Sequence, residues 1–130
     1  MKHLAIFKGD GAEQILSGKK TLESRFSKRK SPPFGQISQG DLVYIKPSGG
    51  DIIGQFKVKK VIFYDGLGAD SIKEIRAKYA AGLTLGEDYW KGKENSRYGT
   101  VIFIGESSRF ITSPIKLKKK DLRGWVILDK

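Results

Sequence analysis

The sequence has no cysteine. That removes disulfides, thiolate metal sites and cysteine nucleophiles together, and it fits a reducing compartment. Histidine is almost as scarce: His3 stands alone, which excludes imidazole-based triads and multi-histidine metal centres. Long apolar runs are missing as well. Nothing approaches the ~20 residues that span a bilayer, and the N-terminal apolar run meets a charge at Lys8 too soon for a signal peptide. A soluble, cytoplasmic chain is expected, engaging no membrane, no metal and no cofactor. The 16 glycines are spread over turns and form no phosphate-cradling loop of the nucleotide-hydrolase kind. Asp65 and Asp70 flank a glycine-containing turn without the spacing of a calcium loop.

Acidic residues are the remaining shortage. Lys and Arg total 25 against 14 Asp and Glu, a formal charge of +11. An imbalance of this size concentrates polyanions around a protein and speeds their capture, so nucleic acid is the first class of partner to consider. A lysine-rich surface is also a pattern of proteins from hot environments. At 130 residues with 38% hydrophobic content, the chain fits one domain over residues 1–130 with a modest core.

Patterning predicts mostly strands. Residues 3–8 read as a first strand. Asp10 can cap a short helix over 11–17, with Gly18 as its stop. Residues 20–26 alternate as a strand should, and 28–39 form a loop rich in Lys, Arg, Pro and Gly. Gly40-Asp41 turns into a strand over 42–46. Pro47-Ser48-Gly49-Gly50-Asp51 marks a hairpin, returning through a long strand over 52–64 with a bend near Gly54. The best helix opens at Asp70 or Ser71 and runs to about residue 81, carrying Ile72, Ile75, Tyr79 and Leu83 at helical spacing, with Gly82 ending it. Residues 85–98 read as irregular, 100–104 as a buried strand, and 125–128 as a closing strand. Trp125 is expected in the core with its indole N–H satisfied by backbone. The fold class is therefore α+β, mostly β: a small mixed or antiparallel barrel of about six strands flanked by two helices.

The informative segment is Ser17-Gly18-Lys19-Lys20-Thr21-Leu22-Glu23-Ser24-Arg25. If all of it is strand, Lys20, Leu22 and Ser24 share one face and Thr21, Glu23 and Arg25 the other. Glu23 and Arg25 can pair across two positions. Such a pair either ties the strand to a neighbour or orients the guanidinium toward a phosphate, carboxylate or base edge. Spacing alone leaves both readings open.

Gly18, Lys20, Glu23 and Arg25 together resemble the Gly-x-Lys-x-x-Glu-x-Arg signature of the ASCH domain, a family of the PUA-like superfamily. The placement agrees: strand, short helix, signature, basic loop, then Gly40-Asp41 opening a strand. The resemblance implies a PUA-like barrel with a cleft lined by the signature and a role in RNA or nucleotide recognition, in RNA metabolism or translation. It also brings two enzyme alternatives. One group of similar fold removes acyl groups from N4-acetylcytidine, with the signature lysine assisting a threonine; this chain carries Glu23 at that threonine's place. Thr21 is the nearest hydroxyl, and a shift of two residues along a strand displaces it by about 7 Å. Other relatives cut RNA, where Lys20 would serve as acid or charge stabiliser.

Basic clusters supply the other candidates. Lys28, Arg29 and Lys30 follow the signature directly, where mobile cations could hold a phosphate backbone. Lys57, Lys59 and Lys60 lie on the long strand, and Lys116, Lys118, Lys119 and Lys120 near the C-terminus. Tyr89-Trp90 followed by Lys91 offers rings for stacking on a base, and Arg97 stands at a strand entrance. The leading expectation is an RNA- or nucleotide-binding module using Lys20, Glu23, Arg25, Lys28, Arg29, Lys30, Trp90 and Arg97. The alternative is an enzyme using Lys20 and Glu23 with Thr21. A peptide-binding adaptor with acidic partners is a third.

Overall fold

The computed structural model describes residues 1–112 and 123–128, so the lysine cluster at 116–120 lies outside the described residues. Six strands and three helices follow one another in the order β1 (Lys2–Phe7), α1 (Gly11–Leu16), β2 (Leu22–Ser27), β3 (Leu42–Pro47), β4 (Gly54–Asp65), α2 (Ala69–Leu83), α3 (Glu87–Gly92), β5 (Tyr98–Arg109) and β6 (Trp125–Ile127). The strands form one sheet in the order β2-β5-β4-β3-β1-β6. Only β1 and β3 run parallel among these pairs; the others are antiparallel. The sheet curls into a half-barrel, so that edge strand β2 approaches β1: Arg25 of β2 donates to the carbonyl of Ile6 in β1 at 3.1 Å.

Two apolar layers hold the curl. Inside it, Ala5, Phe7, Val43, Ile45, Phe56, Val58, Ile102 and Trp125 pack with Ala12 and Ile15 of α1. Outside it, Leu22, Phe26 and Val101 meet Ile72, Ile75, Tyr79 and Leu83 of α2 and Trp90 of α3. The i, i+3, i+4 spacing of the α2 residues puts them on one stripe, which is why that helix reads clearly from sequence.

Several details depart from the sequence reading, among them that Asp10 makes no side-chain cap bond to α1. Residues 87–92 are a helix and not irregular chain; Trp90 buries against Phe26 and supplies the anchor that a six-residue helix needs. Gly82 does not end α2. The helix runs to Leu83 and stops at Thr84, which is in the left-handed region at φ 54°. Gly82 instead allows close approach, because a Cβ there would lie 2.7 Å from Leu22 Cδ1. The β5 strand is more than twice the expected length, reaching Arg109, and bulges near Val58 bend β4 to follow it.

One buried polar chain crosses the sheet. His3 is fully buried, and its Nε2 lies 2.9 Å from Asp41 Oδ2. Trp125 Nε1 donates to His3 Nδ1 at 3.1 Å, so the indole is satisfied by a side chain and not by backbone as expected. With Nδ1 accepting, Nε2 carries the hydrogen toward Asp41. Burial acts to raise the Asp41 carboxyl, but hydrogen bonds from His3, the Ser38 amide and the N-terminal amine outweigh it and hold the group below its ordinary range.

Candidate functional site

A cleft of about 570 Å³ opens where β2 faces β1, and Lys20, Glu23, Ser24 and Arg25 line it with Lys8, Tyr89, Lys93 and Trp125. It straddles the edge of β2. Glu23 and Arg25 come from one face of the strand. Ser24 comes from the other, beside the layer that packs on α3.

Lys20 reaches the cleft by a route that strand alternation does not predict. β2 begins only at Leu22. Before it, the Lys20 amide donates to Gln14 and the Thr21 amide to Gly82, so the period of two does not extend to these residues. Lys20 therefore sits on the Glu23 side, 2% exposed, with Nζ donating to the Leu83 carbonyl and lying 4.0 Å from Glu23 Oε1. Burial pushes its ammonium below the ordinary lysine range, Glu23 opposes that, and Arg25 adds to it. Thr21 does not line the cleft. It is exposed beside the C-terminal end of α2, and the cleft hydroxyl next to Glu23 on β2 is that of Ser24.

Glu23 is the hub. It is 5% exposed; Oε1 accepts the Ser24 amide at 2.8 Å and Oε2 lies 3.6 Å from Arg25 Nη2. Arg25 has two further attachments. Nη1 donates to the Gly124 carbonyl at 3.0 Å and Nη2 to that of Ile6 at 3.1 Å. Its guanidinium carbon lies 5.1 Å from the Phe7 ring centre and 5.2 Å from that of Trp125. The strand-tying and cleft-lining readings of the Glu23–Arg25 pair are thus both present in one geometry. Arg25 closes the seam of the half-barrel and still faces the cleft, where a five-donor fork keeps N–H groups beyond these bonds.

Tyr89 from α3 forms the opposite wall. Its hydroxyl lies 3.0 Å from Ser24 Oγ, and burial pushes the phenol up to about 12. Lys93, just past α3, places Nζ 5.6 Å from the centre of the Tyr89 ring. Burial lowers the Lys93 ammonium, and the nearby charges of Arg25 and Lys8 lower it further.

Five residues expected at the site lie elsewhere. Trp90 does not reach the cleft: it is 3% exposed, packed on Phe26 and on the Tyr89 ring, because α3 turns its larger ring inward and the tyrosine outward. Lys28, Arg29 and Lys30 are exposed on the loop after β2 and none lines the cleft, although Pro32 of the same loop does. Lys30 Nζ is 5.6 Å from the Tyr98 ring. Arg97 is exposed at the start of β5 and away from the cleft lining, its carbonyl accepting the Gly66 and Leu67 amides. Lys8, Ser24 and Lys93 are cleft residues that the sequence reading does not single out as ligand contacts. Of the Tyr89-Trp90 pair that the sequence favours for stacking, Tyr89 is the ring that reaches the cleft; nothing in the local sequence marks Lys8 or Lys93, which meet only through the fold.

The comparisons with known proteins agree with this architecture. The model of the ASCH domain family matches residues 10–118. An ASCH protein from Zymomonas mobilis has a similar solved structure, with a TM-score of 0.75 at 16% identity, covering 99% of this chain and 88% of that one. A variant of the same Zymomonas mobilis protein, with a serine replaced by alanine, has a TM-score of 0.74 at 18% identity, covering 99% of this chain and 89% of its own. At these identities the likeness is one of fold. No curated protein matches the sequence.

Proposed function

The chain belongs to the ASCH domain family, whose PUA-like fold is often linked to RNA binding, and on that premise we propose that its cleft binds RNA or a nucleotide, in RNA metabolism or translation. The observation that carries the proposal is the convergence of Lys8, Lys20, Arg25 and Lys93 on one cleft walled by Tyr89. Cations beside an aromatic ring suit a phosphate joined to a base. The exposed Lys28, Arg29 and Lys30 add positive charge on the loop that leaves β2. Fluorescence anisotropy with a labelled single-stranded RNA tests the reading. The expected result is an affinity that falls linearly in log units with log salt, since cations that neutralise phosphates release counterions. An affinity unchanged over about a tenfold salt range would refute it.

A second reading, an enzyme acting on a modified nucleoside or on RNA, draws support from one local arrangement. Lys20 is buried with its ammonium destabilised, beside Glu23, in the cleft that also holds the Ser24 hydroxyl. A lysine that loses its proton readily is suited to activating a hydroxyl or to general acid–base work. Thr21, outside the cleft, has no such setting. Incubation with N4-acetylcytidine, and separately with short RNA, followed by chromatography, separates the readings. A new product supports the enzyme; binding without product leaves the module.

A further inference from the structure

We propose that Lys8 and Lys93, together with the remaining donors of Arg25, form a phosphate subsite in the outer part of the cleft. The inference rests on reading the cleft as a nucleotide site and assigns one end of it. The cleft grades in exposure: Lys20, Glu23 and Ser24 are buried at its base, Lys93 is half-buried, and Lys8 is exposed. The signature residues at the base are already committed to one another and to backbone carbonyls. Lys8 and Lys93 are not. Among the described residues neither forms an ion pair, and the acids nearest in sequence to Lys8 are engaged elsewhere: Glu13 pairs with Arg109, and Asp10 accepts from Gln14 at 2.9 Å.

Glu23 pairs with Arg25 but with neither Lys8 nor Lys93, so the two ammonium groups face the guanidinium and each other with no acid of their own. Burial lowers the Lys93 ammonium, and the charges of Arg25 and Lys8 lower it further. An anion entering the space relieves their mutual repulsion. Lys93 is also held in position, because its ammonium rests against the Tyr89 ring and the Tyr89 hydroxyl is in turn tethered to Ser24. Two ammonium groups and a guanidinium match the several charged oxygens of a phosphate better than the two of a carboxylate. The nucleoside is then left to Tyr89, Ser24 and Glu23. The phosphate grip that the sequence assigns to Lys28, Arg29 and Lys30 falls instead to residues 85 positions apart in the chain, brought together where β1 ends and α3 ends.

The test uses inorganic phosphate as the probe, titrated at constant ionic strength while lysine side-chain resonances are followed by NMR. Saturable shifts at Lys8 and Lys93 are expected, lost in Lys93→Met and retained in Lys30→Met. Shifts confined to residues 28–30, shifts that never saturate, or an equal response to acetate overturn the assignment. A parallel measurement uses single-stranded RNA. Removing one phosphate-contacting cation with Lys93→Met lowers the slope of log affinity against log salt by ~0.7. If wild-type protein binds RNA with ordinary salt dependence and Lys93→Met leaves that slope unchanged, the subsite fails while the RNA reading stands. If phosphate saturates Lys8 and Lys93 but RNA does not bind, the subsite stands and the RNA reading fails.

Discussion

Replacing Arg25 with alanine tests whether this side chain holds the half-barrel together or merely lines its cleft. The guanidinium donates to the carbonyls of Ile6 and Gly124, at 3.1 and 3.0 Å, and so joins edge strand β2 to β1 and to the chain entering β6. Hydrogen bonds from a charged donor contribute ~1.5–3 kcal/mol each. The Arg25 side chain is 22% exposed, so the lower value applies and the two together give ~3 kcal/mol. The stacking on Phe7 and Trp125 adds ~0.5–1 kcal/mol, partly overlapping the same contacts. Glu23 would keep its Ser24 amide bond and the ammonium of Lys20 at 4.0 Å, so its buried charge is not orphaned. A total of ~3 kcal/mol corresponds to a melting temperature lower by ~12 °C in a domain of this size. Thermal unfolding followed by circular dichroism measures it, with Arg25→Lys as the companion: a lysine keeps the charge but cannot fork to both carbonyls, and should lose ~1.5 kcal/mol. If Arg25→Ala melts within ~2 °C of wild type, the seam does not depend on the guanidinium and the reasoning is wrong.

Gly82→Ala should also destabilise, although alanine is the better helix former by ~1 kcal/mol. The new Cβ would fall 2.7 Å from Leu22 Cδ1 and 2.9 Å from Thr21 Oγ1, and overpacking of this kind costs ~1–3 kcal/mol; a higher melting temperature in the variant would show that α2 can simply move away from β2. Asp41→Asn addresses pH. The folded carboxyl lies below its ordinary 3.8, so it contributes stability that is present above the unfolded value and lost as pH falls through the folded one. The stability gap between wild type and Asp41→Asn should therefore be widest near pH ~7 and shrink below pH ~4, as read from urea unfolding at both; a gap that does not change with pH contradicts the assigned role of the His3 and Ser38 bonds.

How legible this fold is in the sequence depends on how local each cause is. The α2 stripe and the 47–51 hairpin are set by residues within one or two turns of each other, and both are readable. The third helix is not, because residues 87–92 form a helix only once Trp90 finds Phe26, more than 60 positions away. The same distance effect divides the candidate site. Lys20, Glu23 and Arg25 stand out because they are close in sequence and match a family signature. Lys8 and Lys93 do not, because two isolated lysines in a chain of +11 carry no distinguishing mark until the fold sets both on one cleft. Trp90 and Tyr89 show the limit most plainly. Adjacent aromatics on a short helix must face different ways, and sequence does not say which ring goes inside.

The geometry also shows which of the signature side chains' bonds are structural. Lys20 is bound to the Leu83 carbonyl, Glu23 to the Ser24 amide, and Arg25 to two carbonyls across the seam. These bonds build the cleft, because the Arg25 fork bridges β2 to β1 and the Lys20 ammonium fastens the approach to β2 onto the end of α2. They also leave few signature donors free to choose between ligands. Selection then falls to the side chains that face the same space with their polar atoms uncommitted or tethered only to one another: Lys8, Lys93, Tyr89 and Ser24. A cleft made this way can keep its frame while the end of β1 and the short helix α3 change what it accepts. On this reasoning, exchanging Tyr89 or Lys93 alters which ligand binds, whereas exchanging Lys20, Glu23 or Arg25 alters whether there is a cleft to bind it.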